Sequence, residues 1–132
     1  MTRPRCAARR QLESGQSTVE LALLLPVVVL LLLAVLQVGL LGRDLLLVAH
    51  ASREAARAAA VEAEPGAARR AAIASSGLRA DRVDVQISGR DGPGSRVRVT
   101  VSYRAPTSVP IVGRLLGDRV LRAAVTMRVE GS

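Results

Sequence analysis

Few side chains in this 132-residue sequence are of types that do chemistry, and their spacing argues against catalysis. There is one histidine, His50, and one cysteine, Cys6. A nucleophile with its base, or a metal site, needs several such groups within reach of one another, and neither residue has companions at ligand spacing. The glycines of "GRDGPGS" (residues 89–95) sit between two alternating apolar stretches, which is turn chemistry rather than a phosphate-cradling loop between strand and helix. Asp81 and Asp84 read as solvated charges at a strand edge. No catalytic, cofactor-binding or metal-ligating residue is assigned, and an enzyme is not expected. One carboxylate stands out. Glu20 lies five residues after Gly15 in "SGQSTVE" and directly before an unbroken apolar run. Ser17 precedes it by three positions, the S-x-x-E spacing of a capping box, in which each of the two side chains bonds the other residue's backbone N–H. Such a cap is worth ~1 kcal/mol, and a carboxylate also suits the positive end of a helix.

The element behind Glu20 is long. Leu21 to Gly42 contains 22 residues without a charge, which as a helix measures ~33 Å against a hydrocarbon core of ~30 Å. A core helix of a small protein would show a polar face, and only Gln37 interrupts this one. The run predicts a single transmembrane helix with lipid as its first partner. Pro26 inside it takes away the donor for the Ala22 carbonyl and predicts a helix kink. Gln37 and Gly39 are suited to helix association.

Charge orients the span. Arg3, Arg5, Arg9 and Arg10 precede it, so residues 1–15 form a basic cytoplasmic leader and the C-terminal part faces outward. The net charge of +8 comes from 19 arginines and no lysine. With Tyr103 as the only aromatic residue, nothing stacks on bases, and nucleic acid is not an expected partner. Cys6 has no partner for a disulfide, and "RPRC" lacks the apolar residues that precede a lipidated cysteine. A cleaved secretory signal would have a shorter apolar core ending at a small-x-small site. The nearest such site, Ala49-His50-Ala51, lies beyond the charged pair Arg43 and Asp44, and secretion after Ala51 is the weaker reading.

The short basic leader, "GQSTVELALLLPVVVLLLLAVLQVGLL" and the following "HASREAARAAA" together resemble the TadE-like family, minor pseudopilins of tight-adherence (Flp) pilus systems. The resemblance covers roughly residues 12 to 60. It implies a cut by a prepilin-type peptidase between Gly15 and Gln16, on the cytoplasmic side, leaving the helix attached. It also implies partners among other pilin-like subunits and the pilus assembly machinery. On the same resemblance, Glu20, fifth in the processed chain, meets the new amine of a neighbour's Gln16, and that pair sets register between packed helices. Gln16 itself departs from the large apolar residue that classical pilins prefer there. The alternative is a permanently anchored ectodomain that binds an envelope component or partner protein.

Residues 16–42 are then the transmembrane helix, 43–64 a helical stalk continuing it, and 65–132 a small extracytoplasmic head. On the stalk, Arg43, His50, Arg53, Glu54, Arg57 and Glu64 share one arc, with His50 and Glu54 an i,i+4 pair; Val48, Ser52, Ala55, Ala59 and Ala63 face the other way. That small-residue face is expected to pack on the protein's own sheet. A second helix is predicted over Ala67–Ser76, stopped by Gly77. Val83, Val85 and Ile87, then Val97, Val99, Val101 and Tyr103, alternate with polar residues and predict a hairpin. Pro106 and Pro110 mark a loop with a helical turn around Ile111–Leu116. A third strand follows over Arg119–Glu130, with Leu121, Ala123, Val125, Met127 and Val129 inward. The expected class is α+β, with about three antiparallel strands packed on helix.

Overall fold

A computed structural model describes residues 7–64, 66–106 and 117–130, with side chains from Ser17 onward. The helical turn expected at Ile111–Leu116 lies outside the described residues. The order of elements is α1 (Ala7–Val61), α2 (Ala67–Ser76), a short 3-10 turn (Ala80–Arg82), β1 (Val83–Ser88), β2 (Arg96–Ala105) and β3 (Arg119–Arg128). The chain divides into two compact units, Met1–Leu36 and Gln37–Ser132.

The first unit contains the N-terminal part of α1. The helix begins at Ala7, ten residues before the "STVE" at which a start was expected. Residues 7–14 are mostly good helix formers without a breaker, and the ~1 kcal/mol cost of Gly15 is spread over a helix already propagating on both sides. Ser17 and Glu20 therefore stand within a helix, and the capping-box reading is corrected. A cap needs non-helical backbone at its first residue, and Ser17 has helical backbone.

In the second unit a three-stranded antiparallel meander, ordered β1-β2-β3, covers the C-terminal half of α1. Its register puts Val83, Val85 and Ile87 opposite Tyr103, Val101 and Val99. Those three, with Val97, stand opposite Leu121, Ala123, Val125 and Met127. Directly paired residues share a face, so the alternation in the sequence becomes one continuous apolar layer. Against it α1 presents Val48, Ala51, Ser52, Ala55, Ala56, Ala59 and Ala60, none more than 4% exposed. Alanines on the helix and valines on the sheet are buried in one cluster. Ser52 is tolerated there because its hydroxyl donates to the Ala49 carbonyl at 2.8 Å. Residues 43–61 thus serve as the core layer of the head. Ala63, expected on the same face, is exposed because α1 ends at Val61.

Helix α2 buries Ala67, Ala68, Ala72 and Ser76. It stops as expected at Gly77, whose left-handed φ of 65° lets its N–H reach the Ile73 carbonyl. Arg69 ties α2 to the sheet by donating to the carbonyls of Val83 at 2.7 Å and Ala80 at 2.8 Å. The β1–β2 turn is pinned to the end of α1. Arg90 donates through Nη1 to the carbonyls of Ala59, at 2.7 Å, and Glu62. The Glu130 N–H donates to the Ala60 carbonyl at 3.2 Å. The last turn of a helix leaves its carbonyls without partners, and these groups fill that need.

Candidate functional site

The segment singled out in the sequence lies on one helix. Gly15 and Gln16 have helical backbone within α1, and Ser17, Thr18, Val19 and Glu20 are exposed. The apolar run follows without a break in the helix, and Pro26 lies inside it. Its most apolar stretch has a mean hydropathy of 3.0 and is nowhere buried by the rest of the chain. Leu21, Leu23, Leu25, Val27, Leu31, Leu32, Val35 and Val38 are each at least 60% exposed. At roughly 1 kcal/mol for each half-exposed large side chain, moving this surface out of water is favourable by on the order of 10 kcal/mol. The helix is long and apolar enough to cross a membrane, and its solvent-facing surface is what a lipid environment would cover.

The character of α1 changes at Gln37, which opens the second unit and is only 8% exposed. Its Oε1 accepts no hydrogen bond among the described residues. Further along, Asp44 faces the Tyr103 side of the sheet. Tyr103 is 5% exposed, and its burial, with the Asp44 charge second, pushes its phenol above the ordinary value of 10.0. His50 is exposed on the polar side of α1.

The head carries several ion pairs on its surface. Glu64 and Arg70 meet in a bidentate pair at 2.9 and 2.7 Å. The hydrogen bond from Arg70, and then its charge, hold the Glu64 carboxyl below its usual range of about 4.5. Asp81 is lowered in the same way by its hydrogen bond to Arg79, at 3.0 Å. Asp84, read from the sequence as a strand-edge charge, is exposed and accepts from the Gln86 amide at 3.2 Å. A shallow depression of ≈ 430 Å³ on the outward face of the sheet gathers Asp84, Thr100, Ser102, Arg104 and Arg122. Among the described residues no three or more His, Cys, Asp or Glu side chains gather as metal ligands would. Two residues that sequence reasoning missed, Arg69 and Arg90, hold elements of the head together. Both act on backbone carbonyls far away in the chain, so local spacing carries no sign of them.

The deciding feature is a helix that carries Gly15 and Glu20 ahead of an uncovered apolar run and then turns into an alanine face. Residues 15–57 match the family of TadE-like proteins. The match begins at Gly15, takes in the whole apolar run, and ends at the exposed Arg57, part-way along the stretch of α1 whose opposite face packs on the sheet. It covers about a third of the chain. Comparison with curated proteins finds no match, and comparison with solved structures finds none either. The head beyond the TadE-like segment is therefore described by its own geometry.

Proposed function

We propose that this chain is a membrane-anchored, pseudopilin-like subunit that takes part in assembling a Flp/Tad-type pilus or a related secretion machine. The observation that carries the reading is that the TadE-like match starts at Gly15 and runs through a helix whose apolar surface the chain leaves uncovered. On this reading the basic leader stays in the cytoplasm and the head lies outside the membrane. A prepilin-type peptidase cuts between Gly15 and Gln16. Gly15 costs the helix ~1 kcal/mol relative to alanine, which eases local opening of α1 for a peptidase at this point. The apolar run packs among lipids and other pilin-like helices, and Pro26 is where it bends.

Glu20 then acts in assembly. In the processed chain it stands one turn beyond the new amine of Gln16, and a neighbouring subunit's amine is its natural counter-charge. An amine and a carboxylate attract more strongly in apolar surroundings than in water, although desolvation offsets much of the gain. The role needs a charge and not merely a hydrogen-bond acceptor. Glu20→Gln is expected to keep insertion and abundance while reducing incorporation into pilus complexes, measured by co-purification with the assembled machine. Normal incorporation of Glu20→Gln would remove the assembly role.

A further inference from the structure

The two edges of the sheet are finished differently. β1 is short at six residues; α2 packs beside it, and Arg69 occupies the Val83 carbonyl at its start. β3 is ten residues long, runs in unbroken register with β2 alone, and holds no proline, glycine or bulge. No charge points from its middle onto the apolar face. Natural sheets blunt exposed edges with such devices or with charged side chains; β3 has only the charges Arg119, Arg122 and Arg128, which an acidic guest strand would neutralise, leaving the edge a template for that strand. Among the described residues, no backbone group outside the sheet bonds to Arg119–Arg128.

The side chains agree with the backbone. Val97, Val99 and Val101 are 0% exposed, whereas Met127, Val125 and Ala123 directly opposite them on β3 are only half-buried. Among the described residues, the apolar layer thus continues to the edge and stops without cover. On the other face β3 presents Arg122 and Arg128, both exposed, beside Arg96, Arg98 and Arg104 of β2. Arg96 stands directly opposite Arg128, an arrangement that costs stability unless an anion sits nearby. No ion pair holds any of these five arginines among the described residues.

We infer that the free edge of β3 is a docking site for an extended, acidic strand of another protein, which adds to the sheet as a fourth strand. Main-chain hydrogen bonds supply affinity, and alternate side chains supply specificity. Small or branched apolar residues of the guest cover Ala123, Val125 and Met127. Carboxylates on its other face meet Arg122 and Arg128. Charge selects against a second copy of this chain, because pairing β3 with β3 would join two arginine faces into one.

The test uses the full-length protein in neutral detergent and a capped decapeptide of alternating valine and glutamate, with a valine–lysine decapeptide as control. Backbone hydrogen exchange is followed along the chain. The glutamate peptide is expected to slow exchange in β3 and leave β1 unchanged. The lysine peptide is expected to do neither. Arg122→Glu combined with Arg128→Glu turns two attractive cross-strand pairs repulsive and should weaken binding roughly tenfold. Unchanged Tyr103 fluorescence shows that this variant remains folded. Equal binding of the two peptides, no slowing in β3, or slowing in β1 would overturn the inference. So would β3 protection that grows with protein concentration when no peptide is present, because the occupant would then be a second copy.

Discussion

Replacing Ala59 by leucine asks whether the alanine face of α1 is closely packed. Ala59 is 1% exposed, and its carbonyl accepts from Arg90 at 2.7 Å, so the helix is held in place at this point. Leucine adds three carbons. If the helix and sheet left room for them, the added burial would stabilise the head by about 2 kcal/mol, at ~0.8 kcal/mol per methylene. In a close-packed layer the same carbons force side chains off their rotamers and push the backbones apart, at a cost of about 1–3 kcal/mol. The two cases differ in sign. The fully buried Val97, Val99 and Val101 across the interface favour the second. Tyr103 is the only aromatic residue and lies in the core, so its fluorescence reports unfolding of the head without interference. In urea, with a slope of about 1–3 kcal/mol per molar, Ala59→Leu should lower the midpoint by roughly 1 M. Ala63→Leu, at an exposed position beyond the helix, should change stability by less than about 0.5 kcal/mol. A midpoint raised by Ala59→Leu would refute the close-packing argument.

Arg90→Ala removes both bonds that hold the β1–β2 turn against the end of α1. A loss of about 1–2 kcal/mol is expected, with faster hydrogen exchange confined at first to the last turn of α1 and to residues 89–95. Tyr103 should titrate above 10.0, because burial disfavours its phenolate. A group whose folded value is raised contributes stability that is complete below its unfolded value and is lost as pH climbs through the folded one. The head should therefore weaken as pH rises past about 10, as tyrosinate absorbance and fluorescence would show together.

The strands were legible because one face of the sheet is buried. Strict alternation from Val83 to Ile87, from Val97 to Tyr103 and from Leu121 to Val129 leaves few other registers once Gly89–Gly94 are read as a turn. The end of α2 was legible for a similar reason, since only Gly77 suits the left-handed stop. The start of α1 was not. "STVE" satisfies the capping pattern in isolation, but the residues before it are themselves helix formers, and a local signature loses to a helix that is already propagating. The end of α1 came out three residues long because the effect of Pro65 reaches back along the chain, and Ala63 was lost from the packed face with it. The candidate site was legible as far as Gly15, Glu20 and the apolar run. Arg69, Arg90 and the burial of Gln37 were not, because each depends on groups brought together only by the fold.

The mass of the mature N-terminus, measured on protein purified from a cell that expresses its prepilin-type peptidase, tests the central claim most directly. The account predicts a chain that begins at Gln16 and keeps the whole apolar run. A chain that retains its leader would contradict pseudopilin processing and favour a permanent anchor, and a chain that begins at Ser52 would contradict both.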